Sequence, residues 1–223
     1  MNLRGKQVVV IGNGHFTPHS HIKSLYDDIF LVAVNGGTKH IIKQNLIPDL
    51  IIGDLDSLSY LVRQKIRQHN VPVITYPKDK DFTDLELAIN SLLKCKPKNI
   101  TFLGLLGKRW DQTFANFCLM ESCLNHGIKC RMVDGSTTIW LINSSIAFKA
   151  SIGDTVSLHP LTNEVQGITT KGLKFILKDD ILSRAASRGI SNVAVNRSVT
   201  ISVRSGRLFV FHIQKKKTHS PVI

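Results

Sequence analysis

The sequence predicts an α/β protein: an N-terminal, mostly parallel (Rossmann-like) sheet domain followed by a C-terminal all-β sandwich domain. Two observations carry this. As far as about residue 135, short β-like apolar runs alternate with segments of helical period, the pattern of strands joined by helical crossovers. Beyond Gly135 the helical period gives way to short, often alternating runs separated by turn residues.

In the first part the predicted strands are "KQVVVIG", "IFLVAV", "DLIIGD", "VPVIT", "NITFLG" and "KCRMVD". Helices are predicted near residues 20–27, 37–45, 57–69, 83–94 and 112–126. Leu85, Ala88, Ile89, Leu92 and Leu93 recur at helical spacing, and so do Phe114, Phe117 and Cys118. Thr83 followed by Glu86 matches a capping box and sets one helix start. Ser57 is a candidate cap for another. The predicted strands of the second part are "TTIWLI", "SIAFKA", "DTVSLHP", "NEVQGITT", "KFIL", "SNVAVN", "SVTISVRSG" and "GRLFVFHI". The expected division is therefore 1–135, 136–214 and a basic, disordered tail at 215–223, with no internal repeat.

The 223 residues carry 29 Lys and Arg against 16 Asp and Glu, a net charge of +13. That balance fits nucleic acid or a phosphorylated small substrate. No zinc-finger, recognition-helix or aromatic RNA-binding signature accompanies it, and its cations are scattered apart from Lys215, Lys216 and Lys217. No apolar run is long enough to span a bilayer, and the N-terminus does not read as a signal peptide, so a cytoplasmic protein is expected. Cys95, Cys118, Cys123 and Cys130 form no C-x-x-C pair and read as reduced, structural thiols.

Parallel α/β sheets bind ligands where strands end and loops enter the next helix. "IGNGHF" places Gly12 and Gly14 after the first strand, without the third glycine of a dinucleotide fingerprint; a tight turn alone explains both. "VNGGTKH" opens a helix at Gly36 and Gly37, either as a plain turn or with backbone N–H groups free for an anion. "IIGDLDSL" sets Asp54 and Asp56 in one short loop, more acid than a turn and a cap require. In "YPKDKDFTDLELAI", Asp79, Asp81 and Asp84 crowd a helix start, where acids are mildly stabilising. Lys78 and Lys80 interleave them, as a metal–polyphosphate complex would require. Mg²⁺ takes a few hard carboxylate oxygens together with phosphate and water, and two acidic loops at one sheet edge supply them. In "GLLGKRWDQTFANF", Lys108 and Arg109 after Gly104 and Gly107 read as a phosphate grip; Asp111, Gln112 and Asn116 add polar groups along the helix start, where a solvated face equally explains Gln112 and Asn116.

Taken in order, "GDLDS", "KDKDFTDLELAI", "GLLGKRWDQTFANF", "GDTVSLHPLTNEVQGITTKGLKFIL", Ser191-Asn192 and "VTISVRSGRLFVF" resemble the thiamine pyrophosphokinase family over about residues 8–213. The resemblance implies transfer of the pyrophosphoryl group of ATP to the hydroxyl of thiamine, giving thiamine diphosphate and AMP. It implies an α/β nucleotide-handling catalytic domain, a β-sandwich thiamine-binding domain, and a homodimer with thiamine near the subunit interface. Carried onto this chain, Asp54, Asp56 and Asp84 match the acidic metal and catalytic cluster, with Asp81 close by. Lys80, Arg109 and Gln112 match phosphate-facing positions, Asp111 and Asn116 the same motif's polar frame, and Ser191 and Asn192 the thiamine segment.

Two departures stand out. Members often carry "DGG" where this chain has Asn35-Gly36-Gly37, and no aromatic residue adjoins Ser191-Asn192. A ring-stacking partner must come from elsewhere, a second subunit included. The rival readings are a pyrophosphokinase for another heterocyclic alcohol, such as a hydroxymethylpterin, and a non-catalytic nucleotide- or thiamine-binding regulator. A nucleic-acid-binding protein rests on charge alone, and the acidic loops oppose it.

Overall fold

The computed structural model describes residues 1–17, 29–55, 58–77, 79 and 81–215. The chain divides into two compact units, Met1–Gly135 and Ser136–Ile223.

In the first unit, strands β1 (Gln7–Ile11), β2 (Ile29–Val34), β3 (Leu50–Ile52), β4 (Val73–Ile74), β5 (Asn99–Leu103) and β6 (Lys129–Asp134) pair in the order β6-β5-β1-β2-β3-β4. Every pairing is parallel. Val8, Val9, Val10 and Ile11 of β1 are all buried, as expected of a strand covered on both faces. Helices α1 (Gly37–Lys43), α2 (Tyr60–Gln68), α3 (Asp84–Lys94) and α4 (Trp110–Asn125) connect the strands. Ile41, Leu58 and Ile66 join Val9, Ile11, Leu31 and Ile51 in one core cluster. The strand order positions the site: the chain steps outward from β1 to β4, then returns to the opposite side of β1 for β5. Such a reversal leaves a crevice beyond the carboxyl ends of the two central strands.

All six predicted strands are present. Thr83 caps α3, its Oγ1 accepting from Glu86 N at 3.2 Å, as the capping box predicts. The residue at the N-cap of α2 is Ser59, whose side chain makes no cap bond. Ser57 and the helix expected near 20–27 lie outside the described residues, as does the tail beyond Lys215. All four cysteines are free. Cys130 is buried and its thiol is pushed well up, by hydrogen bonding with Cys123 and then by burial, so it is an inert core thiol.

The second unit is a sandwich of antiparallel strands. One layer orders β12 (Asn192–Val193), β9 (Thr155–Pro160), β14 (Leu208–Ile213) and β7 (Thr137–Ile142). The other orders β11 (Asp180–Ser183), β10 (Glu164–Lys171), β13 (Ser198–Ser202) and β8 (Ser145–Lys149). Alternate residues of both layers, among them Val156, Leu158, Val165, Ile168, Val199, Ile201, Leu208 and Val210, fill a single core.

"KFIL" is not a strand, and the strand after it, Asp180–Ser183, was not predicted. The reason lies in where its backbone bonds go. Phe175 N–H and C=O are both taken by the Asn192 side chain. Leu177 N donates to Thr170 Oγ1, and Leu177 O accepts from Thr170 N. Side chains thus satisfy three of these four groups, which a sheet ladder would otherwise take.

A buried polar knot closes this unit. Asp154, 2% exposed, accepts from His212 Nε2 at 2.7 Å and from the backbone N–H groups of Ser151 and Lys215. Burial alone would raise its carboxyl, but the Lys215 N–H, His212 and the Ser151 N–H outweigh it and hold the group below the ordinary range. A lowered carboxyl contributes stability that is complete above about pH 4 and is lost as pH falls through the folded-state value. Asp154→Ala is expected to cost roughly 2–4 kcal/mol by denaturant unfolding at neutral pH. The variant's stability should also vary less with pH below 4 than the wild type's; parallel pH profiles would contradict this role.

Candidate active site

The loops leaving β1 and β5 lie backbone against backbone. Gly12 N donates to Leu103 O at 2.9 Å, Gly14 N to Gly104 O at 2.6 Å, and His15 N to Leu106 O at 2.6 Å. A Cβ on Gly14 would sit 2.3 Å from Leu106 O, and one on Gly12 would sit 2.8 Å from Gly104 O. Gly104 itself has φ +62°, where an L side chain is strained. These glycines are close-approach residues, consistent with the turn reading of Gly12 and Gly14.

Gly36 and Gly37 are buried for a similar reason. A Cβ on Gly37 would fall 1.9 Å from Ile11 O, and one on Gly36 would fall 2.0 Å from Asn13 Oδ1. Both press the start of α1 onto the end of β1.

Beside this closure opens a cavity of about 780 Å³, within the size range of small-molecule sites. Its wall includes Asn13 and Gly14 after β1, Asn35 after β2, Phe82 and Asp84 at the start of α3, and Gly104, Leu105 and Gly107 after β5. Lys108, Arg109, Asp111, Gln112 and Asn116 complete it. Five predicted site residues thus share one pocket: Asp84, Arg109, Asp111, Gln112 and Asn116. Gly36, Gly37, Asp54 and Asp81 do not line it. Asp56 and Lys80 lie outside the described residues.

Asn35 connects the acidic elements. It ends β2 at φ 50°, a left-handed conformation that asparagine tolerates. Its Oδ1 accepts from Asp54 N at 3.2 Å, and its Nδ2 donates to Asp84 Oδ2 at 2.6 Å. Gly53 gives way to it, since a Cβ there would lie 1.9 Å from Asn35 Oδ1. One amide therefore ties the loop after β3 to the first residue of α3. The donor set is hard oxygen, which suits Mg²⁺, an ion that needs only one or two protein carboxylates when phosphate and water complete its shell. Among the described residues, no group of three or more His, Cys, Asp or Glu is arranged to hold a metal ion.

The cationic side is built on α4. Arg109, at its N-cap, pairs through Nε and Nη2 with both oxygens of Asp111. That hydrogen bonding raises the guanidinium's pKa, and Arg109, followed by the Gln112 N–H, holds the Asp111 carboxyl below the ordinary range. Both side chains are about two-thirds exposed, so the pair contributes little to stability and instead keeps two charges at the pocket rim. Asn116 Nδ2 donates to Leu105 O at 2.8 Å, and Thr113 Oγ1 accepts from Gly107 N at 3.3 Å. These two side chains hold the loop after β5, which is work that a polar helix face does not reveal in sequence.

In the second unit, Ser191 has φ 60° and its N–H donates to Ser157 Oγ at 2.9 Å. Asn192 is buried, its Oδ1 accepting from Phe175 N and Val193 N and its Nδ2 donating to Phe175 O. Phe175 is held 62% exposed by this clip, with Lys174 Nζ 5.4 Å from its ring centroid. The aromatic residue missing beside Ser191-Asn192 in sequence is thus brought there by hydrogen bonds. Its signal was hidden in "KFIL", read as a strand. Asn13 and Phe82 were also missed; nothing in their local pattern marks them as pocket residues.

A parallel sheet with acids and cations around a pocket at its reversal point, joined in one chain to a β-sandwich, defines a class of phosphate-handling enzymes. Residues 23–132 match the catalytic domain of thiamin pyrophosphokinase, and residues 143–208 match the vitamin B1 binding domain of the same family. The chain belongs to the thiamine pyrophosphokinase family. It is 26% identical over 181 residues to the thiamine pyrophosphokinase of Bacillus subtilis, covering 80% of this chain and 85% of that protein. It is 22% identical over 201 residues to thiamine pyrophosphokinase 2 of Oryza sativa subsp. japonica, covering 85% of this chain and 74% of that protein. The fold matches the crystal structure of the Bacillus subtilis protein with a TM-score of 0.85 at 23% identity, over 94% of this chain and 100% of the other. The Candida albicans structure matches with 0.80 at 16% identity, over 94% and 90%.

The packing of Gly37 gives a direct test. Gly37→Ala sets a Cβ against rigid backbone and is expected to cost about 1–3 kcal/mol or more in denaturant unfolding. An unchanged unfolding midpoint would mean that α1 can shift off β1.

Proposed function

We propose that this protein transfers the pyrophosphoryl group of ATP to the hydroxyl of thiamine, releasing AMP and thiamine diphosphate. The observation that carries the reading is that Asp84, held by Asn35, shares one pocket wall with Lys108 and Arg109, while the same amide binds the backbone of Asp54, in a chain of this family. The family assignment disfavours a pterin alcohol as acceptor.

The polyphosphate of ATP occupies the unit 1 pocket. Lys108 and Arg109 offset charge on its non-bridging oxygens, and Gln112 and the start of α4 orient it. Asp111 keeps Arg109 aimed until phosphate competes for the guanidinium's donors. Lys80 and Asp81 assist in binding the phosphates, and Asn116 holds the loop after β5. Gly36 and Gly37 serve the site by seating α1 behind it. Asp54, Asp56 and Asp84 would hold Mg²⁺, which would supply positive charge to the phosphate oxygens. Asp84 orients the hydroxyl of thiamine and takes its proton as the oxygen forms its bond to the β-phosphorus. The bond from that phosphorus to the oxygen of AMP breaks in the same displacement.

Thiamine is bound by the second unit through Ser191 and Asn192, and Asn192 also grips the backbone of Phe175, which offers an exposed ring. The protein works as a homodimer; Trp110, 80% exposed, and Phe114, 71% exposed, one turn apart on α4, give an apolar stripe for a second copy to cover. It acts in the cytoplasm, which agrees with four free cysteines. Among the described residues, no helix is long and apolar enough to cross a membrane.

Incubation with ATP, Mg²⁺ and thiamine should yield AMP and thiamine diphosphate in equal amounts, read by chromatography. AMP without thiamine diphosphate, or neither product, would refute the reading. Asp84→Asn should lower kcat by about 100-fold or more. Phe175→Ala should raise the KM for thiamine about tenfold, the loss of one ring stack, with the KM for ATP unchanged. An unchanged thiamine KM would remove Phe175 from the site.

A further inference from the structure

We infer that Asn35 is a positioning residue that acts through Asp84, holding one carboxylate oxygen so that the acid cluster meets a cation–nucleotide complex in a set geometry. The inference rests on the reading of Asp84 given above.

The orientation of the amide follows from its partners. Asp54 N can only donate, so it must face the amide oxygen; the Asp84 carboxylate accepts, so it must face the NH₂. Turning the amide over would set donor against donor and oxygen against oxygen. A carboxylate at residue 35 could still accept from Asp54 N but would face Asp84 with like charge. The bond to Asp84, 2.6 Å to a charged acceptor, is of the stronger kind. The backbone of Asn35 is itself anchored: its N–H donates to Ile52 O at 3.0 Å, and its C=O accepts from Thr38 N and Thr38 Oγ1. The amide therefore projects from a fixed point where β2, β3 and α1 meet, and α3 is the element it adjusts.

The test is a double-mutant cycle of N35A, D84N and N35A/D84N. Its readouts are Mn²⁺ binding in the presence of a non-hydrolysable ATP analogue, by electron paramagnetic resonance, and steady-state kinetics with thiamine. N35A is expected to weaken Mn²⁺ binding and lower kcat about 10- to 100-fold, with the KM for thiamine unchanged. In the D84N background the same change should be nearly silent. Equal losses in both backgrounds, or N35A binding Mn²⁺ as the wild type does, would overturn the inference. If N35A fails to fold by circular dichroism, N35S, whose shorter side chain does not span both partners, takes its place in the cycle. A wild-type protein that binds Mn²⁺ and nucleotide but makes no thiamine diphosphate would sink the pyrophosphokinase reading, while the Mn²⁺ cycle still decides Asn35. A wild type that binds no Mn²⁺ would overturn the inference outright.

Discussion

The contact between the backbones leaving β1 and β5 is the constraint on which the pocket depends. Three hydrogen bonds join these loops, and Gly12, Gly14 and Gly104 leave no room for a side chain between them. Close approach here sets the cavity beside the two central strands, where the chain reverses its order. It also sets the start of α4, because Asn116 and Thr113 reach back to the same loop. Gly37 extends the contact to α1 through Ile11 O. Glycines that look like a phosphate cradle thus act first as packing surfaces, and a ligand would meet the wall they build.

Much of the polar chemistry of the chain holds other groups instead of meeting a ligand. Asn35 joins Asp54 to Asp84, Asn116 pins Leu105, and Asn192 grips Phe175 at both backbone groups. An amide suits this work because it offers a donor and an acceptor together without charge. Charged side chains are left at the rim, where Arg109 and Asp111 stay solvated and can exchange partners at little cost. The division gives a firm frame with mobile charge at its edge, an arrangement suited to a polyphosphate ligand.

Most of the secondary structure was legible because burial imposes its own period. Strands of a parallel sheet are covered on both faces, so "VVVI" and "IFLVAV" are unbroken apolar runs. The sandwich strands are covered on one face, so β13 alternates buried with more exposed residues. "KFIL" misled for the same reason. Its apolar residues resemble a strand, but Thr170 and Asn192 claim its backbone through bonds that no local pattern records. Among candidate site residues, Asp84, Arg109, Asp111, Gln112 and Asn116 were legible because charge and amide groups gathered at a helix start. Asn13 and Phe82 were not, since their significance depends on which loops the fold sets side by side.

The sequence by itself determined the order of elements, the change from helical to alternating period near Gly135, the surplus of cations and the family resemblance. These follow from local periodicity and from motifs spaced along one chain. Tertiary structure alone decided that Asn35 would stand between Asp54 and Asp84, residues 19 and 49 positions away. It likewise decided that Asn192 would present Phe175 from 17 positions away. Hydrogen bonds of that reach exist only once strands from distant parts of the chain are packed, because packing alone fixes which amide meets which carboxylate.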